Sequence, residues 1–174
     1  MIAVILGLVL AGQVLLPAGR MSGRIGPVTV PIQVPAEYRA IVQQAAQRCP
    51  RIPADVLAAQ IAAESGWDPQ ARSPVGARGI AQFMPKTWRQ YGLDANGDGK
   101  ASVWDPVDAI HAAAALNCTN LRLIKGIPGD PIANVLAAYN AGHMAVRRYR
   151  GIPPYPETEA YVSRILSSAR TLTW

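Results

Sequence analysis

Residues 36–174 consist of Ala-rich apolar stretches that are separated by breaks containing proline or glycine. This pattern predicts helices, because a residue before proline disfavours the helical conformation and glycine commonly follows a helix end. No stretch alternates apolar and polar residues in the way typical of a strand. We therefore expect an all-α domain whose helices cover residues 36–48, 54–65, 86–91, 106–123, 130–140, 143–149 and 157–172.

The N-terminal stretch differs from this pattern. Residues 1–16 carry no charge, and we interpret residues 1–19 as an export signal or membrane anchor. Residues 20–35, rich in Pro and Gly, read as a linker before a folded domain at 36–174. No Lys or Arg precedes the apolar run, and a spanning helix needs about 20 apolar residues, so cleavage and anchoring through residues 1–16 both stay open. A buried amphipathic helix is disfavoured, since the run has no polar face.

Composition narrows the class of protein. Hydrophobic residues make up 50% of the chain and charged residues 16%, which excludes a disordered chain or a coiled coil. The formal net charge of +6 predicts attraction to polyanions. The basic residues are scattered apart from Arg147, Arg148 and Arg150, and no nucleic-acid-binding motif accompanies them. We expect a monomer with no nucleic acid partner and with an anionic cell wall as the polyanion.

The chain contains two cysteines, Cys49 and Cys118. In an exported protein such a pair is usually bonded, and we predict a disulfide between them. Two buried free thiols are the alternative. No CxxC or Cys/His cluster is present, so the sequence predicts neither a zinc site nor thioredoxin-type chemistry.

Glu64 is the acidic residue whose surroundings suggest chemistry. Leu57, Ile61 and Glu64 share one helical face that is otherwise apolar. Glu64 also lies in the last turn of its helix, where the helix dipole disfavours a negative charge, so we expect a raised pKa. A carboxyl group that stays protonated near neutral pH can act as a general acid. The alternative is a Glu that turns outward or pairs with Arg72 or Arg78.

Four segments in order carry a family resemblance. Residues 63–69 (AESGWDP), 73–85 (SPVGARGIAQFMP), 137–142 (AAYNAG) and 157–162 (ETEAYV) resemble motifs of the soluble lytic transglycosylases of the goose-type lysozyme superfamily. The resemblance covers nearly the whole folded domain and implies a lysozyme-like helical fold. One position departs from it: residues 79–82 read GIAQ where many members have GLMQ. That difference puts the shape of one sugar subsite in doubt.

The resemblance implies that Glu64 is the one catalytic carboxylate. It would protonate the oxygen of the bond between N-acetylmuramic acid and N-acetylglucosamine, and then accept the proton of the muramic acid C6 hydroxyl as a 1,6-anhydro ring closes. Most glycosidases use two carboxylates instead. Asp68 is the candidate for a second acid, and we interpret it as a turn residue before Pro69.

Five further residues fall in the matching motifs. Ser65 and Gln82 can hydrogen-bond the substrate or orient Glu64, while the two tyrosines offer hydroxyl groups beside an apolar ring. The asparagine can bind an acetamido group or simply end its helix. The predicted substrate-binding residues are therefore Ser65, Gln82, Tyr139, Asn140 and Tyr161.

Residues 94–105 (DANGDGKASVWD) match the twelve-residue EF-hand pattern, in which oxygen ligands at fixed spacing wrap around Ca²⁺. We predict a structural calcium ion that pins this loop. The last ligand is an Asp, which is shorter than the usual Glu, so binding should be weaker than in cytosolic sensors. A turn without metal is the alternative. The expected ligands are Asp94, Asn96, Asp98, the carbonyl of Lys100, and Asp105.

Three functions compete at this point. The resemblance favours a lytic transglycosylase that acts on peptidoglycan glycan strands outside the cytoplasm, either secreted or anchored facing the wall. A lysozyme-type hydrolase on the same fold would give ordinary reducing ends. A glycan-binding module stabilised by calcium would not cut the wall at all.

Overall fold

The structure, a computed structural model, describes residues 32–174. The predicted leader at 1–19 and most of the predicted linker at 20–35 lie outside the described residues. The last linker residues belong to the fold, because Val34 is fully buried and its N–H donates to the carbonyl of Thr173 at 2.9 Å. The N–H of Thr173 in turn donates to the carbonyl of Ile32 at 2.9 Å. The contacts of the folded domain therefore reach back to Ile32, because this segment pairs with the C-terminal residues.

Over residues 32–174 the chain forms helices joined by loops, with isolated bridges as its only β-structure. The predicted all-α class is confirmed. The first helix is shorter than predicted because its last turn tightens into i→i−3 hydrogen bonds. No helix in this part of the chain combines the length and the apolar character needed to cross a membrane. The helices are α1 (Ala36–Ala46), α2 (Ala54–Ser65), α3 (Pro85–Tyr91), α4 (Pro106–Leu123), α5 (Pro131–Ala141), α6 (His143–Tyr149) and α7 (Pro156–Ala169).

Helix α2 supplies side chains to two apolar clusters. Leu57 and Ile61 pack with residues of α1 and α4, whereas Val56 and Ala59 pack with residues of α5 and α7. Helix α7 lies against α2, and α1 lies against α4. Because α2 is buried from both sides, a polar residue near its end lies between the two clusters.

Aspartates at two helix starts satisfy N–H groups that have no partner within the helix. Asp105 accepts hydrogen bonds from the N–H groups of Val107 and Asp108 at the start of α4, at 2.8 and 3.1 Å. Asp130 accepts from Ile132 at 2.7 Å at the start of α5. Such caps typically stabilise a helix by about 0.5 to 2 kcal/mol. Asp105 therefore fixes the boundary between the loop at 94–105 and α4.

The predicted disulfide is confirmed. Cys49 follows α1 and Cys118 lies in the second turn from the end of α4, with their Cα atoms 5.5 Å apart. The bond joins residues that are 69 positions apart in the chain. It fastens α1 to α4 at the margin of the second apolar cluster.

Removing this bond should destabilise the domain strongly. Replacing Cys49 and Cys118 together by Ala frees a long loop in the unfolded chain, and chain-entropy arguments put the loss at roughly 3 to 5 kcal/mol. Urea unfolding with and without reductant measures this loss. The double variant should be insensitive to reductant, and an equally insensitive wild-type protein would contradict a bonded pair.

Candidate active site

Glu64 lies at the C-terminal end of α2, where the chain turns sharply. Gly66 ends the helix in the left-handed conformation at φ 62°, and its N–H donates to the carbonyl of Ala62 at 2.9 Å. Trp67 also has positive φ, at 73°. Two successive left-handed residues direct the chain away from the helix axis, and the glycine carries the first of them without steric cost.

The Glu64 carboxyl group is held in a desolvated position. The Tyr161 hydroxyl donates to Glu64 Oε1 at 2.6 Å. Burial raises the pKa of Glu64 from 4.5 to about 7, although the bond from Tyr161 and the charge of Arg164 both act to lower it. The predicted direction of the shift is confirmed, and its largest cause is desolvation. The acid form is thus substantially populated at neutral pH.

Among the described residues, neither of the two arginines considered as partners hydrogen-bonds the Glu64 carboxyl group. The Arg72 guanidinium lies over the ring of Trp104, 4.3 Å from its centroid. Arg78 pairs through its backbone with Phe83, with both N···O distances at 3.0 Å. Within the described residues, the hydrogen bond of the Glu64 carboxyl goes to Tyr161 instead.

The loop at 66–84 is fastened beside Glu64 by three polar side chains. Ser65 Oγ donates to the carbonyl of Ile80 at 2.7 Å, and the Tyr139 hydroxyl donates to the carbonyl of Ala81 at 2.8 Å. Gln82 Nε2 donates within the loop at 2.9 and 3.3 Å. Three of the predicted substrate-binding residues therefore hold backbone in this structure, and together they form one wall of the site.

Gly79 is required in this wall by sterics. Its φ is 74°, and a Cβ atom at this position would lie 2.0 Å from the backbone oxygen of Val103. The close approach brings the loop against the segment before α4. Any larger residue would push the two segments apart.

Asn140 joins the two downstream motifs. The Thr158 hydroxyl donates to Asn140 Oδ1 at 2.6 Å, and both side chains are buried. Asn140 Nδ2 is buried without a hydrogen-bond partner. The bond ties the end of α5 to the start of α7, and so fixes Tyr139 and Tyr161 relative to each other.

Asp68 is a turn residue, as expected. Its Oδ1 accepts from the N–H of Gln70 at 2.8 Å, and the side chain is exposed. This two-residue pattern is a local turn that Asp commonly forms. The charged side chain whose field acts on Glu64 is Arg164, not a second carboxylate.

The loop at 94–105 is organised by its own side-chain oxygens. Asp94 accepts from two glycine N–H groups at 2.7 and 2.8 Å. Asn96 and Asp98 each accept from the N–H two residues later, at 2.9 and 2.8 Å. Asp105 Oδ2 accepts from the Asn96 amide at 3.1 Å. The oxygens at the first, third, fifth and twelfth positions therefore shape one tight loop.

Asp108 is a part of this loop that the sequence analysis missed. It lies on α4, is fully buried, and accepts from the N–H groups of Ala95 and Ser102 at 2.7 and 2.9 Å. A carboxylate that accepts backbone N–H groups from both arms of a loop holds the arms together. Its acidic character so close after Asp105 was the signal available in the sequence.

Comparison with known proteins shows the family of this chain. The family described as "Transglycosylase SLT domain" matches residues 41–162, which is most of the chain. The chain belongs to the transglycosylase SLT domain family. The match contains Glu64, the loop at 66–84 and both tyrosines of the site.

Individual proteins similar to this SLT domain are named lytic transglycosylases. It is 54% identical over 96 residues to the membrane-bound lytic murein transglycosylase B of Escherichia coli K12, covering 55% of this chain and 23% of that protein. It superimposes on the 70 kDa soluble lytic transglycosylase of Escherichia coli with a TM-score of 0.62 and 25% identity, covering 78% of this chain and 24% of that one. An inactive glutamate-to-glutamine mutant of lytic transglycosylase Slt from Pseudomonas aeruginosa gives 0.60 and 27%, with 78% and 24% coverage. The chain spans about a quarter of the length of these relatives.

Two buried amides of the SLT domain also escaped the sequence analysis. Gln60 donates to the Tyr161 oxygen at 3.3 Å, and Asn117 donates to Gln60 at 2.6 Å. Gln60 lies four residues before Glu64, on the same helical face, which was the available signal. Nothing near Asn117 in the sequence connects it to the site, because the contact spans 57 residues.

The raised pKa of Glu64 predicts a pH-dependent cost in stability. The folded protein binds this proton more tightly than the unfolded chain, so the contribution of Glu64 to stability is fully present below pH 4.5 and is lost as pH rises through about 7. Glu64→Gln avoids the loss and should stabilise the domain by on the order of 2 kcal/mol at pH 8. Urea unfolding of both proteins at pH 5 and pH 8 measures the difference.

The matched control is Glu159→Gln, which removes the same charge from an exposed side chain of α7. Its effect should vary little between the two pH values. A Glu64→Gln gain that does not grow from pH 5 to pH 8 would contradict the desolvated carboxyl group.

Proposed function

We propose that this SLT domain cleaves the β-1,4 bond between N-acetylmuramic acid and N-acetylglucosamine in peptidoglycan and closes a 1,6-anhydro ring. The observation that carries this proposal is the Glu64 carboxyl group, with a pKa of about 7 and one oxygen bonded to Tyr161. Such a group can give a proton at neutral pH and take one back. Tyr161 engages Oε1, which leaves Oε2 to face the substrate.

A single carboxylate fits the intramolecular reaction. Glycosidases that use two carboxylates place them roughly 5 to 9.5 Å apart, so that the second attacks or activates water. In this site Asp68 is engaged in its turn, and Arg164 is the charged group that acts on Glu64. The substrate's own C6 hydroxyl can replace the second carboxylate as nucleophile, because it is already attached to the sugar.

Glu64 donates one proton and accepts one proton in each turnover. Its proton passes to the glycosidic oxygen while the bond from that oxygen to C1 breaks, and the N-acetylglucosamine hydroxyl leaves. The new carboxylate, stabilised by the bond from Tyr161, then accepts the C6 hydroxyl proton as O6 bonds to C1. Glu64 ends protonated, ready for another turnover, and no water is consumed.

The relatives support the same assignment. The protein from Escherichia coli K12 is named a membrane-bound lytic murein transglycosylase, and the Pseudomonas aeruginosa enzyme is inactive as a glutamate-to-glutamine mutant. We infer that the domain works as a monomer outside the cytoplasm, against the cell wall. The disulfide between Cys49 and Cys118 and the net charge of +6 both suit that compartment and an anionic wall. Anchoring through residues 1–16 stays a prediction.

Product analysis tests the reaction. Mass spectrometry of digested peptidoglycan should find fragments ending in 1,6-anhydromuramic acid, because the C6 hydroxyl replaces water. Glu64→Gln should lower the cleavage rate by at least about a hundredfold, since the amide cannot donate the acidic proton. Asp68→Asn is the control and should keep the wild-type rate. Ordinary reducing ends would indicate a lysozyme-type hydrolase, and no cleavage by the wild-type protein would indicate a binding module.

We also propose that the loop at 94–105 binds a structural Ca²⁺. Its exposed oxygen donors have the hard chemistry that Ca²⁺ requires. Within residues 32–174, no group of three or more His, Cys, Asp and Glu side chains gathers into a metal site, so the aspartates of this loop would have to draw together around the ion. The residues that would hold the ion are Asp94, Asn96, Asp98, the carbonyl of Lys100, and Asp105.

Calcium removal tests this site. A chelator should lower the Tm of the wild-type domain, and added Ca²⁺ should restore it, because a ligand at about 100 times its Kd stabilises the folded state by about 2.7 kcal/mol. Asp98→Asn should weaken Ca²⁺ binding in calorimetry by tenfold or more, on the order of one lost charge-assisted contact. Asp68→Asn, in the other loop, should bind like wild type. Equal Tm values in calcium and chelator would contradict the proposal.

A further inference from the structure

A line of buried hydrogen bonds leads from Glu64 into the core. The Tyr161 hydroxyl donates to Glu64 Oε1 at 2.6 Å, and Gln60 Nε2 donates to the Tyr161 oxygen at 3.3 Å. Asn117 Nδ2 donates to Gln60 Oε1 at 2.6 Å. Gln60 and Asn117 are completely buried. In every bond of this hydrogen-bond chain, the acceptor is the group nearer to Glu64.

The direction of the hydrogen-bond chain is set at its inner end. Asn117 Oδ1 is the atom left without a partner, and a buried carbonyl oxygen tolerates this better than a buried N–H group. With Asn117 donating, Gln60 presents its oxygen to Asn117 and its amide hydrogens to Tyr161. The Tyr161 oxygen then accepts a hydrogen bond, so its single proton points to Glu64.

We propose that Gln60 and Asn117 are positioning residues that fix the direction of the Tyr161 hydroxyl and so keep the acidic proton of Glu64 on Oε2, available to the substrate. The catalytic part of this inference rests on the function proposed above. In a reversed chain, Tyr161 would donate to Gln60 and its oxygen would accept the Glu64 proton. The acid would then be hydrogen-bonded internally and less able to protonate a glycosidic oxygen.

The fixed direction of the Tyr161 hydroxyl also suits the deprotonated, charged form of Glu64. When the proton leaves Oε2 and the bond to C1 breaks, the Tyr161 donor is already directed at the new carboxylate, so no hydroxyl needs to rotate. In the described part of the chain, the other groups that face Glu64 form no hydrogen bond with the Tyr161 hydroxyl. The Tyr139 hydroxyl donates to the carbonyl of Ala81, and Arg164 acts only through its charge.

The protonation of Glu64 can be followed without substrate. The chain contains the four glutamates Glu37, Glu64, Glu157 and Glu159, so a ¹³C NMR spectrum of the glutamate carboxyl carbons is simple. Glu64→Gln identifies the resonance of interest. Titration of this resonance gives the Glu64 pKa in each folded variant.

Asn117→Leu removes the donor that orients Gln60 and keeps the branched shape of the side chain. Gln60 can then turn its oxygen to Tyr161, which stabilises protonated Glu64, and its pKa should rise by about one unit. Adding Gln60→Met removes the acceptor that the reversed chain needs. The double variant should therefore titrate near the wild-type value, a reversal that independent structural damage would not produce.

Asn120→Leu is the matched control. Asn120 is a buried amide on the same helix, and its Nδ2 has no hydrogen-bond partner. This variant should leave the Glu64 pKa unchanged. Asn117→Ala serves if Asn117→Leu does not fold, because it removes the same donor without adding volume. An unchanged pKa in the Asn117 variant, or a shift that persists in the double variant, would overturn the proposal.

Activity separates this proposal from the function it rests on. In Asn117→Leu the alkaline limb of the pH profile should move up with the pKa, and kcat should fall while KM stays constant. If the wild-type protein never cleaves peptidoglycan, the Glu64 pKa values of the variants, measured by NMR, still decide the positioning role. If it cleaves peptidoglycan but the pKa values do not change as expected, only the positioning role is wrong.

Discussion

The hydrogen bond from the Tyr161 hydroxyl to Glu64 connects parts of the fold that lie 97 residues apart. It exists because α7 packs against α2, and α2 is buried from both sides by apolar clusters. The same packing removes water from the carboxyl group and raises its pKa to about 7. An acid of this kind needs both burial and one open oxygen, and the end of a core helix supplies both.

The rest of the site is arranged around that helix end. Ser65, Gln82 and Tyr139 use their polar groups to hold backbone carbonyls of the neighbouring loop. Buried polar atoms are costly without partners, so these bonds make a polar site compatible with an apolar core. The loop wall beside Glu64 is therefore held in place by hydrogen bonds from three side chains.

Helix α4 links this site to the loop at 94–105 and to the disulfide. Asp105 caps its first turn and Asp108 holds both arms of the loop, while Cys118 bonds it to the chain beyond α1. Asn117, next to Cys118, begins the hydrogen-bond chain to Glu64. A helix fastened at both ends can keep a buried amide at one position, and the orientation of the Tyr161 hydroxyl depends on that position.

The sequence by itself determined where the helices lie, the acidic character of Glu64 and the pattern of the loop at 94–105. These follow from prolines, glycines and side-chain spacing within a few residues, which act before any tertiary packing. Tertiary structure alone decided that Tyr161 meets Glu64, that Asn117 orients Gln60, and that Ser65 and its neighbours bind backbone. Such contacts span up to 97 residues and depend on how apolar faces pack, which no local pattern specifies.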